Sequence, residues 1–177
     1  MPPAMTARPT RFRNRSARSL ARGEARFQVR SDRKRFRLAA RLAAVQALYQ
    51  QEMEGTPVAA LLHEFHHHRL GATIDGVEYA EADVDFFDDL VKGVDARLAE
   101  IDALIAGLLA DGWSMERLDK PMKAILRVGA YELIARADVP DVTIIIEYVK
   151  VARAFHDKRE VGFINGLLDA LAKEVRT

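Results

Sequence analysis

Apolar side chains recur at alternating spacings of three and four residues along most of the chain, which is the period of a helix with one buried face. The clearest run lies between Val84 and Leu108. Its members are Val84, Phe87, Val91, Val94, Leu98, Ile101, Ile105 and Leu108. We predict one long amphipathic helix here. Its narrow apolar seam suits packing inside a helical bundle better than the alternative, a dimerising coiled coil.

Start and stop signals divide the rest of the chain into further helices. A first helix is predicted from about Asp32 to Met53, where Gly55 stops it, and Thr56-Pro57 opens a second helix through Leu70. A loop is expected over residues 71–80. Later helices are predicted at about residues 114–118, 119–137, 142–155 and 158–175. The β-branched run at 142–146 would suit a strand, but a single strand would leave its backbone donors unpaired. The sequence therefore predicts an all-α protein of six or seven helices.

The formal net charge of +1 conceals a very uneven distribution of charge along the chain. Residues 1–41 hold 13 basic side chains against two acidic ones, a net charge of +11, whereas the remaining 136 residues hold 14 against 24, a net charge of −10. Such asymmetry is typical of proteins that bind polyanions. Residues 1–31 show no apolar period and are expected to form a disordered basic arm, followed by a helical domain at 32–177. The arm has three interpretations: an RNA-contacting tail, a solvated or mis-started extension, and an organellar transit peptide.

Composition excludes several classes of protein. There is no cysteine, so neither a disulfide nor a thiolate metal site can form. The longest run without a charged residue has ten residues, far short of the roughly 20 apolar residues that span a bilayer. We therefore expect a soluble protein. Glycines within the predicted helices, such as Gly93, Gly129, Gly162 and Gly166, indicate close helix packing at most of these positions.

One short motif suggests catalysis. His63, Glu64 and His67 spell HExxH, the spacing that places two imidazoles on one helical face to bind zinc with a glutamate as general base. A chain with four of its five histidines between positions 63 and 68 can produce this motif by chance, and no third ligand is evident. Zinc hydrolysis and adventitious metal binding remain alternatives to a surface histidine cluster, which we favour. We expect no catalytic residue, metal or cofactor.

A basic stripe runs along the start of the first helix. At 100° per residue, its five members fall within a sector about 100° wide, beside the apolar stripe. They are Arg30, Arg33, Lys34, Arg37 and Arg41. Guanidinium groups in this arrangement can bind phosphates bidentately. Gln46 lies at the margin of the apolar stripe, and Tyr49 beside it could stack on a base or bury its ring.

Four short segments occur together and in order: Ala44–Tyr49, Ala130–Leu133, Asp138–Pro140 and Phe163–Asp169. They read Ala-Val-Gln-Ala-Leu-Tyr, Ala-Tyr-Glu-Leu, Asp-Val-Pro and Phe-Ile-Asn-Gly-Leu-Leu-Asp. This set resembles the NusB family of bacterial transcription antitermination factors. The resemblance extends from about Arg33 to Val175, and its specificity comes from the ordered combination.

The resemblance implies an all-helical fold of two small three-helix bundles without enzymatic activity. The family binds the boxA element of nascent ribosomal RNA leader transcripts together with the ribosomal protein NusE. That complex joins RNA polymerase and suppresses premature termination, and the family includes monomers and homodimers.

By position, the resemblance assigns RNA contacts to Arg37, Arg41, Gln46, Tyr49, Phe163 and Asn165, and the basic stripe adds Arg33 and Lys34. Phe163 could instead be a core residue, and Asn165 a buried bridge between helices. Two positions depart from the family pattern. Ile146 stands where asparagine is usual, and Gly162 stands where a basic residue is common, which removes a potential phosphate contact.

Two other functions are alternatives. NusB-like domains also occur in rRNA cytosine methyltransferases, so the chain could be a stand-alone relative that acts in rRNA processing or modification. The HExxH motif would instead make it a metallohydrolase.

Overall fold

The structure is a computed structural model, which describes residues 14–68, 70, 73–74, 77–78 and 82–177, with side chains described at 21–68, 70 and 82–177. The chain divides into two units, Met1–Lys34 and Arg35–Thr177. Most of the predicted loop at 71–80, and the first 13 residues of the predicted arm, lie outside the described residues.

The described residues form seven α-helices, a short 3-10 helix at Met115–Arg117 and two antiparallel strands of two residues. The helices are α1 (Asn14–Glu54), α2 (Val58–His68), α3 (Val84–Ala96), α4 (Leu98–Leu108), α5 (Lys120–Ala135), α6 (Asp141–Arg153) and α7 (Lys158–Val175). The strands are β1 (Thr73–Ile74) and β2 (Val77–Glu78). The all-α prediction is confirmed, although this strand pair falls where only a loop was predicted. No helix of the described residues is long and apolar enough to cross a membrane.

Three aspartates fix the starts of helices, as the sequence suggests for polar residues that precede an apolar period. Each carboxylate accepts a hydrogen bond from the backbone N–H three residues later: Asp83 from Phe86 at 3.0 Å, Asp119 from Met122 at 2.8 Å and Asp157 from Glu160 at 2.9 Å. The Glu160 side chain also accepts from the Asp157 N–H, which completes a capping box. Gly55 ends α1 with a positive φ of 70°.

Two helix boundaries differ from the prediction. The first helix begins at Asn14 and not near Asp32, so residues 14–31 are helical although they carry no apolar period. The predicted long helix at 84–108 is two helices, because Arg97 has non-helical torsion angles (φ −116°, ψ 20°) and separates α3 from α4. Phe87 and Val94 before the break and Ile101 and Ile105 after it are all buried. The apolar period therefore continues on both sides of Arg97, so the period alone does not show that the helix ends there.

The core of the second unit centres on α5, whose residues from Met122 to Leu133 are mostly buried. One group of three helices contains α2, α3 and the part of α1 after Lys34. Gln50 of α1 donates to Glu64 of α2 at 2.9 Å, Gln51 of α1 donates to Asp95 of α3 at 3.4 Å, and the Phe65 and Phe87 rings of α2 and α3 stack at 5.5 Å. The other group contains α5, α6 and α7, and α4 packs against α5 and α7. The expected pair of small three-helix bundles is thus confirmed. A Cβ at Gly129 would lie 2.8 Å from Leu168 Cδ2, so glycine permits the close approach of α5 and α7.

Candidate RNA-binding surface

Arg41, a member of the predicted basic stripe, lies inside the protein. Its Nε donates to Glu132 Oε2 at 2.9 Å, and its terminal nitrogen donates to Glu132 Oε1 at 2.5 Å. Only 3% of Arg41 and 0% of Glu132 is exposed. The Tyr148 hydroxyl donates to the same carboxylate at 2.7 Å, and Phe86 lies 5.1 Å below the guanidinium. This network joins α1 to α5 and α6.

The electrostatics of this network favour a charged pair with a neutral phenol. Burial, reinforced by the negative charge of Glu132, raises the pKa of Tyr148 well above its ordinary value. Burial by itself would lower the pKa of Arg41, but the hydrogen bonds and charge of Glu132 raise it above its ordinary value. Arg41 therefore stays charged and paired. The basic stripe predicted a solvent-facing position for Arg41, and this prediction is wrong. The guanidinium is buried because it pairs with the buried carboxylate of Glu132. Its contact with RNA stays a prediction.

Arg37, one turn earlier, is partly enclosed. Its side chain is 17% exposed, its Nε lies 3.9 Å from Asp83 Oδ2, and its guanidinium lies 5.0 Å from the Phe86 ring centroid. Contacts of this kind hold a side chain in one orientation without removing it from solvent. Arg33 and Lys34 belong to the first unit, where both are exposed.

Gln46 and Tyr49 are exposed on the second half of α1. Tyr49 is 39% exposed, so the structure favours the alternative in which its ring is accessible over the one in which it is buried. The two residues are three positions apart and therefore lie on neighbouring parts of one helical face.

Phe163 and Asn165 are exposed on α7. The Phe163 ring is 38% exposed and lies 6.4 Å, centroid to centroid, from the ring of Trp113, which is 55% exposed. Neither the core position proposed for Phe163 nor the buried bridge proposed for Asn165 fits this exposure. Sequence reasoning missed Trp113, although a single tryptophan directly after Gly112 in a turn between helices was a usable signal.

The surface around Phe163 is open. A Cβ at Gly162 or Gly166 would meet no atom within 4 Å, so packing within the described structure does not require glycine at either position. The predicted packing role instead fits Gly93, where a Cβ would collide with Tyr131, and Gly129, where it would collide with Leu168.

No hydrogen bond, ion pair or ring contact among the described residues joins Gln46 or Tyr49 to Phe163 or Asn165.

The HExxH histidines form a surface cluster on α2. His63 and His67 have ring centroids 4.1 Å apart, and His67 Nδ1 bonds to the His63 carbonyl at 2.9 Å. Glu64 accepts a hydrogen bond from Gln50 at 2.9 Å, and His66 pairs with Asp88 at 2.5 Å. Among the described residues, no group of three or more potential ligands could hold a metal ion.

Comparison with known proteins agrees with this architecture. A curated relative from Sphingopyxis alaskensis, "Transcription antitermination protein NusB", is 69% identical over 140 residues, which cover 79% of this chain and 94% of that protein. A relative of the same name from Caulobacter vibrioides is 49% identical over 79% of this chain and 94% of that protein.

Solved structures give the same result for the fold. T. maritima NusB superposes with a TM-score of 0.64 at 28% identity, covering 79% of this chain and 92% of that chain. A crystal structure of the antitermination factors NusB and NusE in complex with double-stranded RNA contains a chain with a TM-score of 0.66 at 26% identity, covering 79% of this chain and 98% of that chain. The NusB family model matches residues 38–173. From this match and these relatives, we conclude that the chain belongs to the NusB family.

Proposed function

We propose that this chain is a non-catalytic transcription antitermination factor of the cytoplasm. It binds the boxA element of nascent ribosomal RNA leader transcripts together with NusE, and the complex acts on RNA polymerase to suppress premature termination. Membership of the NusB family and the names of the curated relatives support the antitermination role. The similar chain found with NusE and RNA supports the two partners.

The exposed aromatic pair of Trp113 and Phe163 is the observation that carries the RNA-binding proposal. Single-stranded RNA is recognised by stacking of splayed bases on aromatic rings and by hydrogen bonds to base edges. Phe163 and Trp113 offer two rings, and the exposed amide of Asn165 offers both a donor and an acceptor. The open surface at Gly162 and Gly166 lets a nucleotide backbone come close to the helix.

Gln46 and Tyr49 provide a second group with the same chemistry on α1. Arg37 supplies a cation near the start of the same unit, held in place by Phe86 and Asp83. Arg41 is retained as a predicted RNA contact, and its guanidinium, which binds Glu132, also supports α1 from within.

The test is binding of a fluorescent boxA-containing single-stranded RNA, measured by anisotropy with and without NusE. Stacking contributes about 1–3 kcal/mol per base, so Phe163→Ala should weaken binding by roughly 5- to 140-fold. Phe155 is an exposed phenylalanine outside the proposed surface, and Phe155→Ala is the matched control. Equal losses in the two variants, or no loss with Phe163→Ala, would contradict the proposed surface.

A further inference from the structure

The first unit carries a row of arginines on one side of α1. With 100° between successive residues, Arg22, Arg26, Arg30 and Arg33 fall within a sector about 80° wide. We call these four residues the arginine face. At 1.5 Å per residue, the face is about 16 Å long, with successive guanidiniums about one turn apart. All four side chains are exposed.

The arginine face is not neutralised within the described part of the chain, where none of its four members forms an ion pair. Glu24 and Asp32 are the acidic residues of this segment, and both lie more than about 100° around the helix from the centre of the face. Asp32 also accepts a hydrogen bond from Gln28 at 3.2 Å. The positive charge is therefore available to a partner.

The chemistry of the face fits phosphate better than a lipid surface. A helix that lies in a membrane interface needs an apolar side, but Phe27 and Val29, the large exposed apolar residues between positions 21 and 34, lie about 160° apart around the helix. Guanidinium groups bind phosphate oxygens bidentately, and a row of them can follow a sugar–phosphate backbone without reading its bases.

We infer that the arginine face is a second RNA-binding element, which binds the sugar–phosphate backbone without sequence preference. This inference rests on the proposed function, since it assumes that the chain binds RNA. The arginine face lies outside the matched region, because the family model begins at residue 38, after all four arginines. The element adds electrostatic affinity to whatever specificity the second unit provides.

The experiment measures how the affinity of the full chain for RNA depends on salt. For single strands, the log–log slope of affinity against salt concentration is about −0.7 per phosphate neutralised. Replacing the four arginines of the face together by glutamine should make the slope less steep by roughly 2 to 3. The change should be the same for a boxA-containing oligonucleotide and for a scrambled one of equal length.

The matched control removes four exposed cations from the second unit. These are Lys92, Lys150, Arg153 and Lys173, each replaced by glutamine. Glutamine has nearly the helix propensity of arginine and lysine, and circular dichroism checks that helix content is unchanged. The control should retain the wild-type slope.

Each outcome decides between the hypotheses. An unchanged slope in the arginine-face variant, or an equal loss in the control, would overturn the inference. Loss of binding to phosphatidylglycerol vesicles with an unchanged RNA slope would also overturn it, by showing that the face binds lipid. Absence of any preference for boxA in the wild-type chain would contradict the proposed function, while a flattened slope would still support the arginine face.

Discussion

Glu132 is completely buried and accepts hydrogen bonds from both Arg41 and Tyr148. Glu132→Gln would leave the buried Arg41 cation with only the more distant carboxylate of Glu147, 3.8 Å from its terminal nitrogen, and loss of the main partner costs about 3–5 kcal/mol in comparable buried pairs. We expect urea denaturation to show a loss of this order in the free energy of unfolding. Glu100→Gln, which removes the carboxylate of an exposed arginine pair, is the control and should change stability little.

Gly93 and Gly162 differ sharply in the space around them. A Cβ at Gly93 would lie 1.9 Å from Tyr131 Cζ, so Gly93→Ala should lower the free energy of unfolding by about 1–3 kcal/mol as the ring is displaced. At Gly162 nothing lies within 4 Å, and alanine should increase stability by up to about 1 kcal/mol through its better helix propensity. Thermal unfolding of the two variants tests this contrast, and equal shifts would contradict it.

Ionisation of Tyr131 is expected to lower the free energy of unfolding at alkaline pH. Burial, followed by the hydrogen bond that its hydroxyl donates to Asp89 at 2.8 Å, raises the pKa of Tyr131 to about 12. A raised pKa means that the neutral phenol stabilises the fold below the ordinary value of 10.0, and that this contribution is lost as the pH rises from 10 towards 12. Tyr131→Phe should therefore show a smaller decline in stability over this range. An unchanged pH profile would argue against it.

At the scale of helices, the capping box of α7 offers a direct test of how this element is fixed. Asp157→Ala removes the acceptor for the Glu160 N–H and should cost about 1 kcal/mol, measured by chemical denaturation. Asp157→Asn retains an oxygen acceptor and should recover most of that loss. Failure of asparagine to recover it would mean that the negative charge at the helix start matters more than the cap.

The elements that sequence predicted well are those whose signals are local. Asp119, Asp157 and Gly55 lie at helix ends and act through their own backbone neighbours, so the limits of α5 and α7 were predicted to within two residues. The break at Arg97 was missed because both sides of it keep the apolar period. The helical state of residues 14–31 was missed because these residues keep no apolar period, and those at 21–31 are exposed.

The candidate site was harder to predict, because exposure and pairing depend on the whole molecule. Arg41 and Arg37 share a helical face and differ by one turn, yet only Arg41 meets a buried carboxylate, which comes from α5, 91 residues away. The ring contact between Trp113 and Phe163 likewise joins residues 50 positions apart in the sequence. Such contacts leave no periodic pattern in either segment.

The exposure of the basic arm leads to a prediction for the stability of the whole molecule. Residues 21–31 are exposed, so this part of the arm contributes no buried surface. A chain that starts at Asp32 should therefore have nearly the same free energy of unfolding in urea as one that starts at Ala21, within about 0.5 kcal/mol. A clearly lower midpoint would show that the missing residues stabilise the fold.

The open space at Gly162 also makes the protein convenient to label. The chain contains no cysteine, so Gly162→Cys would introduce a unique thiol one residue from Phe163, at a position where a Cβ meets nothing within 4 Å. A fluorophore or photo-crosslinker attached there would report directly on whatever molecule approaches α7, with no background from other sites.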